Sequence, residues 1–456
     1  MSFTTINPST GSVISSYSYE SDQKIKNKVN NSFKRFETWS TTSHDEKRTH
    51  LMSLIGQIQS NLESAARLAS IEMGKPIAEA QAELNKCISL CEYYVENFES
   101  EIQGRSITIE NQTAHISHQP LGTILGIMPW NFPFWQVIRF AVPTIMAGNT
   151  VLLKHAENVS GSSLEIEKWF KNSGFPSAVF QSVIASHESI ETMIKHPRLR
   201  GVSMTGSTAA GKKIASIAGA QMKPCLFELG GSDAYLVLAD ADVELAAKKL
   251  AQSRLLNSGQ SCIAAKRFIV HSSVYEDFLQ HLQPHFENAI VGDPQDKLST
   301  IGPLARTDLV QKLTSQVSTS LAKGAKCYFQ HSFKSPKGAF YPPTILVDIP
   351  ADCPAFTEEL FGPVAAVFKF DELSEALSIA NFTNFGLGGG IFSKDTSSAQ
   401  SIGEKYLKTG NVAINDYVKS HPKVPFGGIY DSGYGREMAI EGLLAFCNAK
   451  VTTINS

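Results

Sequence analysis

A cysteine at a turn can act as a nucleophile, a buried carboxylate as a base, and a side-chain amide as a donor to an oxyanion. The chain offers a candidate for each. Cys262 closes the run Asn257–Ser258–Gly259–Gln260–Ser261–Cys262, where a helix over 243–257 is expected to end and the chain to turn at Gly259. A thiol at such a turn can be exposed and activated by nearby backbone dipoles, or it can be a buried structural thiol. Glu228 stands between Phe227 and Leu229 at an expected strand end. Burial there would raise its pKa towards that of a usable base; an ordinary salt bridge is the alternative. Asn131, in Pro129–Trp130–Asn131–Phe132–Pro133, follows a strand and precedes a helix. Its amide can donate to a developing oxyanion or merely cap the helix. Gly206 and Ser207 sit between a strand over 201–205 and a helix over 207–218. A glycine turn and a helix N-terminus suit a phosphate, but Ser207 can equally be a plain cap. The pattern is neither the dinucleotide G-x-G-x-x-G nor a Walker loop.

The elements that must position these groups follow from periodicity. Leu51, Leu54, Ile55, Ile58 and Leu62 recur at helical steps, and a second helix is expected over 78–99. Residues 104–119 alternate apolar and polar positions around Glu110–Asn111, a hairpin signature. From residue 121 short apolar strands alternate with helices, which predicts parallel, doubly wound sheets that bind ligands beyond the carboxyl ends of their strands. A second α/β region begins near Gly230–Gly231, and the β-branched tail 450–455 is placed to pair with the hairpin. The fold class is therefore α/β.

Composition narrows the function. The 456 residues include 41 Lys plus Arg against 43 Asp plus Glu, a formal charge of −2, with no basic stripe. That speaks against a nucleic-acid partner. No apolar run reaches the ~20 residues of a membrane span, and the first nineteen residues lack the regions of a signal peptide, so a cytoplasmic protein is expected. Seven cysteines are scattered without the spacing of a zinc site, and no metal is expected.

Taken together, the segments PWNFPFW, LLKHAEN, MTGSTAAG, FELGG, NSGQSC, EELFGP and PFGGIYDSGYGRE resemble, in order and spacing, the successive motifs of the NAD(P)-dependent aldehyde dehydrogenases. The likeness runs from about residue 7 to the end. Among these enzymes the chain most resembles the bacterial succinate-semialdehyde dehydrogenases of the Sad type. The resemblance implies two Rossmann-like α/β domains and a β-hairpin oligomerisation arm. The cofactor-binding domain would take 1–104 and 122–229, the catalytic domain 230–436, and the arm 105–121 and 437–456.

It further implies Cys262 as nucleophile, Asn131 with the Cys262 N–H as oxyanion donors, and Glu228 as the base that activates hydrolytic water. Trp130 would line the nicotinamide side, Gly206 and Ser207 the pyrophosphate, and Glu359 and Phe361 the nicotinamide ribose. Lys154 and Glu157 would bind the adenine ribose. A carboxylate there repels a 2′-phosphate, which favours NAD, with NADP possible should Glu157 swing away and leave Lys154 and His155 to the phosphate. Arg139, Ser420 and Phe426 would face the aldehyde, Arg139 holding a substrate carboxylate. The partners implied are a small aldehyde and further copies of the chain, as homodimer or homotetramer. Three positions depart from the pattern. Leu256 replaces an arginine often found six residues before the cysteine, Tyr430 a lysine and Ala209 a glutamate. The alternatives are a broad aliphatic or aromatic aldehyde dehydrogenase in which Arg139 is ion-paired, and a non-catalytic protein that retains the fold.

Overall fold

The computed structural model describes residues 2–333 and 337–455. Among these residues the strands form four sheets. One has the order Gly433–Tyr434, Cys225–Glu228, Leu199–Thr205, Thr123–Met128, Thr150–His155, Phe180–Ser182. Its strands run parallel except for the edge pair Gly433–Tyr434, which lies antiparallel to Cys225–Glu228. Thr123–Met128 is buried at every position, as a strand covered by helices on both faces must be. The strand order reverses between Thr123–Met128 and Leu199–Thr205, so a crevice opens beyond their carboxyl ends.

The larger sheet runs Lys326–Gln330, Thr344–Val347, Val364–Phe370, Arg267–His271, Ala234–Val237, Gly388–Phe392, Asn411–Ile414, with only Lys326–Gln330 antiparallel. The expected α/β class and its doubly wound sheets are present. The segments that hold Cys262, Gly230–Gly231 and Glu359 each enter this sheet just before a strand begins. Its amino ends therefore meet the carboxyl ends of the first sheet.

The hairpin Arg105–Ile109 and Gln112–Pro120 is paired by the tail Cys447–Asn455, antiparallel over nine residues from Cys447↔Pro120 to Asn455↔Gln112. Two features differ from expectation. Residues Ser2–Ile6 and Val13–Ser18 form a further hairpin, turned at Gly11 with φ +74°. The helix expected over 243–257 stops at Leu255, because Asn257 and Ser258 both take φ +54°. Left-handed backbone is costly for residues with a Cβ, so the surroundings must hold this turn. No described helix is long and apolar enough to cross a membrane.

Candidate active site

The turn that bears Cys262 is strapped from all sides. The Ser258 hydroxyl donates to Gly302 O at 2.9 Å, and Ala305 N donates to Gln260 Oε1 at 2.9 Å. The Arg254 guanidinium donates to Gly259 O. A Cβ at Gly259 (φ +76°) would lie 2.2 Å from Gly362 O, so only glycine fits. Lys266 Nζ donates to Cys262 O at 2.6 Å and Ser261 O at 3.1 Å. These bonds fix the backbone beneath the sulfur while the Cys262 side chain stays half-buried.

Asn131 is tied to the same turn. Its Nδ2 donates to Gln260 O at 3.1 Å, and Asn257 Nδ2 donates to Asn131 O at 2.8 Å. A primary amide has two N–H donors, so one remains for a ligand. The Cys262 N–H donates to no backbone carbonyl among the described residues. Two donors are thus available beside one sulfur.

Cys262 stands where two cavities meet. On one side, about 310 Å³ is lined by Trp130, Asn131, Thr205, Gly206, Ser207, Cys262, Glu359 and Phe361. This cavity shares Pro129, Thr205, Gly206 and Arg306 with a cleft of about 680 Å³ that holds Lys154 and Glu157. On the other side, a cavity of about 210 Å³ is lined by Cys262, Arg139, Ser420 and Phe426. Every candidate site residue named from the sequence, Glu228 and His155 excepted, therefore faces one of three adjoining spaces.

The long cleft suits a dinucleotide. It lies at the strand-order reversal, beside the helix Thr208–Gly219, whose cap Ser207 accepts from Ala210 N. Thr205 Oγ1, buried on the wall shared by both spaces, has no hydrogen-bond partner among the described residues. Glu359 accepts from Gly231 N at 3.1 Å and faces Lys266 at 3.5 Å. Tyr19 Oη donates to Glu157 Oε1 at 2.7 Å, leaving Oε2 for a ribose hydroxyl. His155 is no phosphate ligand. It is buried, burial holds its pKa down to about 4, and its ring is engaged by Pro133 O at 2.9 Å and Ala156 N at 3.0 Å.

Glu228, the last residue of the strand Cys225–Glu228, lines neither cavity beside the thiol. Both its carboxylate oxygens are buried without a partner among the described residues. Burial, and then the neighbouring Glu437 charge, push its pKa well above the usual carboxylate range. Burial likewise pushes the Cys262 thiol up to about 12, with Lys266 and Arg139 pulling the other way. Arg139 is 3% exposed and its Nε is ion-paired with Glu437. Its guanidinium also stacks 5.2 Å from the Phe426 ring centre.

Sequence reasoning missed several neighbours: Tyr19, Lys266, Glu437, and above all Glu79, Glu83 and Lys86 on the helix Ile77–Ile102. Those last three recur at helical spacing and line the cavity beside Cys262. Charges on an otherwise apolar face were the available signal.

With this geometry in hand, the comparisons agree. The model of the aldehyde dehydrogenase family matches residues 1–452. The chain is 41% identical over 443 residues to the succinate semialdehyde dehydrogenase [NAD(P)+] Sad of Escherichia coli K12, covering 97% of this chain and 96% of that one. It is 38% identical over 457 residues to succinate-semialdehyde dehydrogenase [NADP(+)] 1 of Mycobacterium tuberculosis H37Rv, covering all of both. The crystal structure of succinic semialdehyde dehydrogenase from Streptococcus pyogenes with NADP+ superposes with a TM-score of 0.97 at 32% identity, over the whole of both chains. Matched from end to end in sequence and in backbone, the chain belongs to the aldehyde dehydrogenase family.

Proposed function

We propose that the protein oxidises succinate semialdehyde to succinate with a nicotinamide dinucleotide as hydride acceptor. The observation behind this reading is the position of Cys262. A dinucleotide-sized cleft lies on one side of the sulfur and a small cavity bearing cations on the other. Relatives named for the same reaction support it.

The chain's residues divide the work as follows. The Cys262 thiol loses its proton to solvent water, and the thiolate attacks the aldehyde carbon, forming a thiohemiacetal. Asn131 Nδ2 and the Cys262 N–H hold the oxyanion, each such donor contributing about 3 kcal/mol. The bound nicotinamide supplies the hydride acceptor. Trp130, Phe361 and Glu359 wall the space in which it would sit, and Gly206 and Ser207 approach the pyrophosphate. Departure of hydride leaves a thioester on Cys262. Glu228, rotated towards the sulfur, takes a proton from water; the hydroxyl adds to the acyl carbon, and the C–S bond breaks to release the acid. Lys154 and Glu157 hold the adenine ribose, with NAD favoured over NADP. Arg139, Ser420 and Phe426 form the acyl end of the tunnel.

The three-stranded sheet of hairpin and tail supports an arm that joins copies of the chain into a homodimer or homotetramer. Residues 1–104 with 122–229 then form the cofactor domain, 230–436 the catalytic domain, and 105–121 with 437–456 the arm. Seven free cysteines fit a reducing cytoplasm.

The ion pair between Arg139 and Glu437 favours the second reading, a dehydrogenase of broad aldehydes. One comparison decides between them. Succinate semialdehyde and butanal are run with wild type and Arg139→Leu, each with NAD and NADP. A wild-type preference for the semialdehyde that narrows in the variant supports the first reading. Equal losses on both aldehydes overturn the assignment of Arg139. A burst of reduced cofactor in wild type, absent in Cys262→Ala, reports the covalent step.

A further inference from the structure

Three cations line the cavity on the substrate side of Cys262: Lys86, Arg139 and Lys419. Two are already ion-paired. Arg139 is ion-paired with the buried Glu437. Lys419 is held by Asp416 at 2.7 Å and lies over its neighbour Tyr417. Lys86 differs from both. Among the described residues it has no carboxylate partner within salt-bridge distance; its Nζ donates to Ser420 Oγ at 2.6 Å and lies 4.4 Å from the Trp135 ring centre. An ammonium has three donors, and Ser420 takes one.

The acids nearby are otherwise engaged. Glu83 accepts from Phe134 N and Trp135 N at 2.8 and 2.9 Å and is ion-paired with Lys75. Glu79 accepts from Asn257 N at 2.7 Å, and burial raises its pKa to about 7. A half-buried ammonium with two unspent donors, in a cavity that ends on a nucleophilic sulfur, is matched by an anion on the far end of the substrate.

We propose that Lys86, oriented by Ser420 and Trp135, is the principal anchor for the distal carboxylate of the aldehyde. This rests on the reading of the substrate given above and names the residue that sets its specificity. Arg139, with much of its charge answered by Glu437, shapes the tunnel wall and contributes second.

Two variants test it against wild type: Lys86→Met, which keeps the chain length and removes the charge, and Lys86→Arg, which restores a cation. Each is assayed with succinate semialdehyde and with butanal, which has the same carbon count and no carboxylate. Loss of a hydrogen-bonded charge pair corresponds to about 10- to 100-fold in kcat/KM. That loss is expected in Lys86→Met for the semialdehyde, through KM with kcat nearly unchanged, as removal of ground-state binding requires. Butanal is expected to change less than about threefold on the same grounds, and Lys86→Arg to recover most of the loss.

A pH series supplies a readout that a merely structural lysine would not move. Burial, then Arg139 on the facing helix, lower the Lys86 pKa to about 8, against Glu83 and Cys87 on its own helix and Cys262 across the cavity. The semialdehyde-to-butanal ratio of kcat/KM therefore falls above pH 8 in wild type and stays level in Lys86→Arg, whose cation does not titrate there. Groups that serve both substrates, Cys262 and Glu228 included, cancel in the ratio.

A wild-type preference that persists in Lys86→Met overturns the anchor and leaves the substrate reading standing. Equal losses on both aldehydes, not rescued by arginine, also overturn it. No wild-type preference for the semialdehyde overturns both.

Discussion

Exchange of Glu157 tests cofactor choice at its source. Glu157 lies on the wall of the long cleft, with Oε1 held by Tyr19 at 2.7 Å. A carboxylate so held can accept a ribose hydroxyl with its other oxygen but cannot readily turn from a 2′-phosphate. The other charged groups on that wall give such a phosphate little help. Burial lowers the Lys154 pKa, and Arg306 is spent on Asp308 at 2.8 and 2.9 Å. Two unit charges about 4 Å apart in a wet cleft, at an effective dielectric of about 60, repel by about 1.4 kcal/mol. A phosphate of charge about −1.5 to −2 therefore loses about 2–3 kcal/mol, or roughly 30- to 150-fold in affinity. Wild type is expected to prefer NAD by a factor of that order, and Glu157→Gln to remove most of it, mainly by improving KM for NADP. Tyr19→Phe should move the ratio the same way by a smaller factor, since it frees the carboxylate to turn aside. The assay is kcat/KM for each dinucleotide at saturating aldehyde, followed by absorbance of the reduced nicotinamide. A wild-type preference for NADP, or a ratio unchanged in Glu157→Gln, would refute the reasoning.

Asn131→Ala should lower kcat/KM by about 10²- to 10³-fold for charged and uncharged aldehydes alike, the cost of one oxyanion donor; a loss confined to one substrate would count against the role. In Glu228→Gln the burst of reduced cofactor should survive while steady turnover falls by about 10²- to 10⁴-fold, and a burst lost with it would remove Glu228 from the hydrolytic step. The same variant should be more thermostable than wild type at neutral pH. The folded-state pKa of Glu228 is raised, so its contribution to stability is complete below the unfolded value and declines as pH rises towards the folded one. Melting curves from pH 5 to pH 9 check the sign, and a variant less stable throughout would contradict it. Val451→Lys with Ile454→Lys, on the exposed tail strand, should reduce the native mass seen by light scattering; an unchanged mass would exclude that strand from subunit contact.

How much of this could be read from the chain depends on how far apart the interacting groups lie. Each principal motif occupies one short segment: a strand end, a glycine turn, a helix start. Those segments were legible because the local rules that shape them also place the functional atom. The turn at Gly259 and the Ser207 cap are of this kind. The N-terminal hairpin was not anticipated, because its strands are short and largely exposed and show weak alternation. Helix 243–257 was drawn two residues too long, because propensity does not reveal that Glu79, from another element, holds Asn257 N in a left-handed turn.

The same reasoning explains the residues that escaped notice altogether. Tyr19 and Glu157 are 138 positions apart, and Lys86 and Ser420 are 334 apart. Periodicity shows which face of helix 77–102 is buried, and on that face Glu79, Glu83 and Lys86 stand out as charges where apolar residues belong. It does not show that Glu83 is consumed by backbone N–H groups and Lys75 while Lys86 meets a hydroxyl and an aromatic face but no carboxylate. That difference carries the assignment of Lys86 as the anchor, because a charge already answered inside the protein has little left for a ligand. Arg139 is the position the family pattern points to, yet it is the one whose Nε faces a buried carboxylate. Specificity in this tunnel is therefore a question of which cation the fold leaves unpaired, and that can be read only once the partners of every charge on the wall are known.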